Sequence, residues 1–178
     1  IPHIILCQWK QVDIVNPREE IYFDSLLGSK TIEDVNFTDV CFPNRDTGFA
    51  VGGENLLHLS WGKVFQTNNG GISWDIILNL KDCFPGKIIC PSVITGYLIM
   101  GFTDGPQWYN TSDGGNSWKE GDEDFWLENL FFLNEKTGWA SGYKSINNEN
   151  DSNMECGIFQ TEDRGISWKF MSDTQMTV

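Results

Sequence analysis

One eight-residue pattern occurs three times in this chain of 178 residues. It reads Thr-x-Asp/Asn-x-Gly-x-Ser-Trp and covers residues 67–74, 111–118 and 161–168. Five restricted positions are not expected to recur three times by chance, and repeats at a period of roughly 20–50 residues are typical of solenoids and propellers. The pattern therefore indicates that the fold is built from a repeated unit.

The pattern predicts a tight hairpin. Asp or Asn at the third position accepts hydrogen bonds from the backbone of the turn, and Gly at the fifth supplies a positive φ. The Thr and the Ser-Trp pair belong to the flanking strands, with the Trp ring folded over the turn. We assign a structural role to these residues: Thr67, Asn69, Gly71, Trp74, Thr111, Asp113, Gly115, Trp118, Thr161, Asp163, Gly165 and Trp168.

A second motif, Thr-Gly-aromatic followed by another Gly, precedes each hairpin and starts at Thr47, Thr95 and Thr137. An apolar run comes before each copy. Each repeat thus predicts four short antiparallel strands, the arrangement of a β-propeller blade. The expected blades cover approximately residues 32–80, 86–124 and 127–172, with a leading strand and a connection in residues 1–31.

The two motifs together resemble the BNR or Asp-box repeat, and they are most similar to its version in the photosystem II assembly/stability factor family. The resemblance covers roughly residues 32–172. It implies an all-β propeller fold with the turns at the periphery, away from the central channel. It implies no single function, because Asp-box propellers include sialidases, other glycoside hydrolases, sorting receptors and assembly factors.

Three blades and one leading strand do not close a ring, since propellers generally have about four to eight blades. An open arc would leave sheet edges and apolar blade faces in water. Three arrangements would resolve this: the chain is part of a longer protein, two copies join into one ring, or another subunit covers the ends.

The net charge of −13 disfavours nucleic acid and anionic membrane surfaces as partners. No apolar run is long enough for a transmembrane helix. The apolar start of the chain is expected to be an outer strand over residues 4–12. The alternative is that this segment is a lipoprotein signal ending at Cys7. Leu6 argues against that alternative, because a small residue usually precedes the cysteine of such a signal. The resemblance implies a periplasmic or secreted location.

The five cysteines include no Cys-x-x-Cys pair, and only two histidines accompany them. We therefore expect no metal site and no cofactor. Cys83 and Cys90 flank Phe84-Pro85-Gly86, a turn signal, so they could form a disulfide across a hairpin. The alternative is that both are buried thiols on strands.

The sequence does not favour catalysis. A sialidase site needs converging arginines, but Arg18, Arg45 and Arg164 occupy dissimilar places in their repeats. The acidic tract 120–124 is more typical of a solvated loop than of a glycosidase carboxylate pair. We assign no catalytic residue and expect a non-enzyme. The alternative is a fragment of a sialidase-like or other glycoside hydrolase propeller.

Binding is the remaining function. Aromatic residues outside the repeat pattern are the candidate anchors: Trp61, Trp108, Tyr109 and Trp126. The alternative for Trp108 and Tyr109 is that they fill the third strand of their blade. The sequence therefore predicts an extracytoplasmic scaffold or binding module that is part of a larger protein or complex. Its partner would be a protein or a second copy that closes the ring, with carbohydrate as the alternative ligand.

Overall fold

The computed structural model describes residues 23–24, 28–29, 35–56, 59–81, 83–103, 107–122, 124–145 and 154–171. Within these ranges every regular element is a β-strand, and the all-β prediction is confirmed. A small antiparallel hairpin joins β1 (Phe23–Asp24) to β2 (Gly28–Ser29). The expectations for the outer strand, Cys7 and Arg18 lie outside the described residues.

The other strands form three four-stranded antiparallel sheets, which we call the first, second and third blades. The first blade contains β3 (Asn36–Cys41), β4 (Gly48–Leu56), β5 (Leu59–Thr67) and β6 (Asp75–Lys81). The second contains β7 (Cys83–Ile89), β8 (Gly96–Thr103), β9 (Trp108–Thr111) and β10 (Lys119–Glu120). The third contains β11 (Phe125–Phe132), β12 (Gly138–Ser145), β13 (Met154–Thr161) and β14 (Lys169–Phe170). In each blade the strands lie in chain order, and no sheet closes on itself.

Two apolar cores lie between the blades. Because alternate residues of a strand point to opposite faces, one strand can contribute side chains to both cores. In β8, Leu98 and Met100 pack toward the first blade, whereas Tyr97 and Ile99 pack toward the third. The first core contains Phe49, Val51, Val64, Leu80, Cys83, Ile88, Leu98 and Met100. The second contains Tyr97, Ile99, Trp108, Phe125, Leu127, Leu130, Ala140 and Phe159. The second blade is therefore buried on both faces.

The first strand of each blade carries an irregularity at the same place. The register shifts between Phe37 and Asp39 in β3, and a matching shift occurs in β7 and in β11. Such a bulge re-aims the adjacent side chains. In the first blade the Thr38 hydroxyl donates to the carbonyl oxygen of Pro85 at 2.8 Å, and Asp39 accepts from the backbone N–H of Ile88 at 3.0 Å. The bulge thus connects two blades by polar contacts.

A disulfide also joins the first two blades. Cys41, the last residue of β3, is bonded to Cys90, just after β7, with a Cα–Cα distance of 6.1 Å. The expected pairing of Cys83 with Cys90 is therefore wrong. The Pro85-Gly86 pair is absorbed into β7 as a bulge and makes no turn, so Cys83 and Cys90 lie near opposite ends of one strand. Cys83 is buried in the first core.

Candidate binding surface

The turn at residues 111–118 is held together by its own side chains. The Thr111 hydroxyl donates to Asp113 at 2.8 Å, and the hydroxyl and N–H of Ser117 donate to the same carboxylate at 2.6 and 2.9 Å. The hydrogen bond from the Ser117 hydroxyl is the largest cause that lowers the pKa of Asp113 to about 2. The carboxylate is therefore fully engaged by its own turn.

The turn at residues 67–74 has the same geometry with an amide. Asn69 accepts from the Thr67 hydroxyl at 2.9 Å and from the N–H of Ser73 at 3.0 Å. In the third copy Asp163 accepts from Thr161 at 2.8 Å and from the Ser167 hydroxyl at 2.6 Å. The third bond is reversed in the first copy, where the Asn69 amide donates to the Ser73 hydroxyl at 2.8 Å. Because an amide holds the turn as a carboxylate does, the geometry of the position points to a structural role. We call these segments the first, second and third turns.

Two consecutive residues of each turn have left-handed backbone conformations. They are Gly70 and Gly71 (φ 71° and 84°), Gly114 and Gly115 (74° and 86°), and Arg164 and Gly165 (66° and 72°). Only Gly adopts this conformation at low cost. The N–H of the first residue in each pair donates to the loop between the first two strands of its own blade, as Gly114 does to Ile94 at 2.9 Å.

The second left-handed residue of each later turn, a glycine in both, is where the preceding blade makes contact. A Cβ added to Gly115 would lie 3.3 Å from Cε1 of Phe49, and one added to Gly165 would lie 2.6 Å from the hydroxyl oxygen of Tyr97. Phe49 and Tyr97 are the aromatic residues of the Thr-Gly-aromatic motif. The motif of one blade thus covers the turn of the next, a contact that no local sequence pattern predicts.

The same turns also accept hydrogen bonds from the preceding blade. The side-chain amide of Gln66 in the first blade donates to the carbonyl oxygen of Gly114 at 3.1 Å. The hydroxyl of Tyr97 donates to the carbonyl oxygen of Arg164. Gly114 and Arg164 occupy equivalent positions in their turns. The same backbone carbonyl therefore accepts the hydrogen bond at both blade interfaces, whereas the donating side chain differs.

Of the four predicted binding residues, Trp108 is buried and Tyr109 is half-buried. Trp108 is 4% exposed, and its indole N–H donates to the carbonyl oxygen of Phe125 at 2.9 Å. Tyr109 is half-buried against the first core, and burial is the largest cause that raises its pKa to about 12. The structure contradicts a binding role for Trp108 in the folded chain, because β9 directs its ring into the interface with the third blade.

The other two lie on opposite outer faces of the arc. Trp61 shares a face of β5 with Lys63, whose ammonium lies 5.5 Å from the indole centroid. Trp126 stacks on Tyr143, its cross-strand neighbour in the third blade, at 5.2 Å. The predicted anchors therefore do not converge on one site.

We call the surface of the first blade opposite the first core the leading face, formed by Phe37, Val40, Ala50, Phe65 and Trp61. A groove of about 520 Å³ opens on it, lined by Phe37, Thr38, Asp39, Val40, Ala50, Phe65 and Trp74. The rings of Phe37 and Phe65 are 5.2 Å apart. Phe37 and Val40 are each more than half exposed. An exposed apolar groove of this kind is typical of binding surfaces.

The trailing face lies on the third blade, opposite the second core. It is formed by Phe131, Trp139, Tyr143 and Gln160, which alternate along their strands with residues of that core. Phe131 is 62% exposed. Each end of the arc therefore presents aromatic side chains.

Other kinds of site find no support in the part of the chain that the structure describes. There, no three His, Cys, Asp or Glu side chains are grouped as metal ligands would be. In the same part of the chain, no helix has the length and apolar content needed to cross a bilayer.

Comparison with solved structures supports the fold. No protein-family model matches the chain, and no curated protein matches it. The solved structure of YCF48 bound to D1 peptide is similar with a TM-score of 0.51 and 20% identity. The likeness covers 76% of this chain and 40% of that one, so this chain spans about two fifths of the length of the protein it matches. At this identity the likeness supports the fold alone, namely blades of a β-propeller.

Proposed function

We propose that this chain is a non-enzymatic propeller module that binds a protein partner through the leading face. The observation that carries the proposal is the exposure of Phe37 and Val40 beside a groove floored by Phe65. Covering apolar surface contributes about 25 cal/mol per Å². A partner with its own apolar side chains would therefore gain affinity from this face.

The likeness to YCF48 supports a protein as the partner. That propeller was solved with a bound D1 peptide. By analogy, the present module would serve as a scaffold in a larger assembly, as a photosystem II assembly factor-like protein would. The analogy concerns the class of ligand and does not extend to its identity.

The disulfide between Cys41 and Cys90 supports an extracytoplasmic location. Disulfides form and persist in oxidising compartments and are rare where thiols are kept reduced. We therefore place the module in a periplasmic or secreted setting. Localisation of a tagged full-length protein in its native cell tests this directly, and a cytosolic signal would contradict it.

The non-enzymatic assignment is supported by the state of the turn carboxylates. Asp113 and Asp163 each accept hydrogen bonds from their own turn, and the pKa of Asp113 is held near 2. A carboxylate of such low pKa is a poor general acid. Turnover of any member of a panel of chromogenic glycosides would contradict this assignment.

Photo-crosslinking tests the binding role. A benzoylphenylalanine is placed at position 37, with a matched variant at position 166 in the third turn, where Ile166 is 84% exposed but lies outside the groove. Both variants are irradiated as purified protein and in native extract, and adducts are identified by mass spectrometry. We expect a stoichiometric adduct at position 37 and none at position 166. The absence of an adduct at position 37 in both settings would overturn the proposal.

A further inference from the structure

We propose that the occupant of the leading face is a second copy of this chain, docked head-to-tail through its trailing face. The inference rests on the proposed function, because it names the partner of the same face. The inference is drawn from the contact that joins neighbouring blades within one copy. One end of the arc carries the side chains that make this contact, and the other end carries a turn of the kind that receives it.

The contact within one copy is made by a cross-strand pair of residues. Phe49 lies opposite Gln66 in the first blade, and both side chains contact the second turn. Tyr97 lies opposite Asn110 in the second blade, and Tyr97 alone provides both the ring and the hydrogen bond to the third turn. Each blade therefore places an aromatic ring and a polar donor on the turn of the next blade.

The third blade carries the same pair. Trp139 lies opposite Gln160 on β12 and β13. Gln160 comes directly before Thr161, just as Gln66 comes directly before Thr67. Among the described residues no further turn of this type follows the third blade, so this pair covers no turn within that part of the chain. The trailing face thus presents the aromatic and amide half of the contact.

The first turn presents the other half. Gly71 has a φ of 84°, close to the 86° of Gly115. Among the described residues, the side chains nearest to a Cβ added to Gly71 would be Trp74 and Phe42 of its own blade, at 3.7 and 3.8 Å, whereas a Cβ added to Gly115 would approach Phe49 of the preceding blade. Within the described part of the chain, no ring of a preceding blade covers the first turn in the way that Phe49 and Tyr97 cover the second and third, and a ring from another molecule would fill that place.

A second pair of positions supports the same alignment. Cys41 pairs with Phe49 in the sheet, and it is bonded to Cys90 of the next blade. Phe131 pairs with Trp139 of the Thr-Gly-aromatic motif just as Cys41 pairs with Phe49, so Phe131 is equivalent to Cys41. Cys90 comes directly after the residue that pairs with Tyr97, and Phe42 comes directly after Cys41, so Phe42 is equivalent to Cys90. Head-to-tail docking would therefore bring Phe131 of one copy against Phe42 of the other.

These two rings are available for such a contact. Phe131 is 62% exposed and Phe42 is 45% exposed. Between the second and third blades Phe132, the equivalent of Phe42, stacks on Tyr97, the equivalent of Trp139, with centroids 5.1 Å apart. Aromatic pairs of this kind add to the free energy gained from burial. Ile89, the equivalent of Phe131, packs against the same core as Phe132. Docking would therefore place Phe42 of one copy beside both Trp139 and Phe131 of the other.

The described blades of two copies would number six, within the range of about four to eight seen in closed propellers. The contact is heterologous, since different faces meet, and two such contacts close a two-fold ring. Each copy carries a net charge of −13, so like-charge repulsion opposes association. Because salt screens that repulsion, we expect the dimer to tighten as ionic strength rises.

Light scattering over a concentration series tests the proposal. The wild-type chain has a mass of 20.2 kDa, and the expected particle is twice that mass. Phe131→Asp alone and Phe42→Asp alone should be monomeric, because each removes one half of both contacts. An equal mixture of the two variants should recover dimer, since one intact contact remains. Ile166→Asp, at an exposed position outside both faces, should behave as wild type.

A monomer at every concentration, or a mixture that does not recover dimer, would overturn the inference. Near-UV circular dichroism confirms that each variant is folded, and Phe131→Asp gives an independent result because that ring is largely exposed. A monomeric wild type that still crosslinks another protein at position 37 would leave the proposed function standing and refute only this inference. The absence of any adduct would refute both.

Discussion

Tyr97 in the second blade donates its phenolic hydrogen to the backbone carbonyl oxygen of Arg164 in the third. Its ring is 1% exposed and stacks on Phe132 of the third blade. Burial, the largest cause, raises the pKa of Tyr97 well above its ordinary value. One side chain therefore contributes both apolar packing and a hydrogen bond to the interface between two blades.

Replacing Tyr97 with Phe should lower the free energy of unfolding by about 1 kcal/mol, because the ring is kept while the partly buried carbonyl of Arg164 loses its donor. Urea denaturation measures this loss. The matched control is Tyr143→Phe, at a half-buried tyrosine stacked on Trp126, where we expect a change within about 0.5 kcal/mol. Equal losses in the two variants would contradict the role of the hydrogen bond.

Arg164→Gly should stabilise the chain. Arg164 has a φ of 66°, and the equivalent residues in the other turns are Gly70 and Gly114. Relief of the left-handed strain should raise the free energy of unfolding by about 1 kcal/mol. The ion pair lost with Glu135 is 3.8 Å long and exposed, so it offsets little. Thermal denaturation measures the gain, and a lower melting temperature would contradict it.

Acid should weaken the second turn. The pKa of Asp113 is lowered from 3.8 to about 2, so its ionised form stabilises the folded state above the ordinary carboxyl pKa. That contribution is lost as the pH falls from about 4 to about 2. Asn69 shows that an amide fits the position, so Asp113→Asn should fold and lack this part of the acid sensitivity. Parallel melting curves against pH for the two proteins would contradict this expectation.

The disulfide should contribute strongly to stability. It closes a loop between residues separated by 49 positions. For a loop of that length, the chain-entropy relation gives about 4 kcal/mol. The Cys41→Ser/Cys90→Ser variant should show a loss of this size on urea denaturation, whereas Cys156→Ser, at an exposed thiol, should show little. A double variant as stable as wild type would contradict the disulfide.

The local part of this fold could be predicted because its determinants lie within a few residues of one another. The hydrogen bonds of Asp113 all come from its own turn, and the left-handed glycine follows it directly. The contact of Phe49 with Gly115 could not be predicted in the same way. It joins residues far apart in sequence, and it depends on how two finished sheets pack.

The disulfide prediction failed for a related reason. Pro85-Gly86 has the composition of a turn, yet in β7 it forms a bulge within one strand. Local composition does not distinguish these two outcomes, because Pro and Gly serve in both. The true partner of Cys90 is Cys41, in the neighbouring blade.

The number of residues between a tryptophan and the Thr that begins its turn distinguishes the roles of Trp61 and Trp108. Trp61 precedes Thr67 by an even number of residues, whereas Trp108 precedes Thr111 by an odd number. Successive residues of a strand point to opposite faces, so the two indoles belong to opposite faces of equivalent strands. The sequence does not say which face another blade covers. That depends on the order of the blades, which places Trp108 inside and Trp61 on the leading face.

Cysteine trapping tests most directly whether the contact between blades recurs between copies. Phe131→Cys and Phe42→Cys place thiols at the positions equivalent to Cys41 and Cys90, which are bonded within one chain. The two single variants are mixed and oxidised, with Ile166→Cys replacing either one as the control. We expect a reducible species of twice the 20.2 kDa chain mass in the first mixture alone. Its absence there, or an equal yield in the control mixtures, would contradict head-to-tail docking.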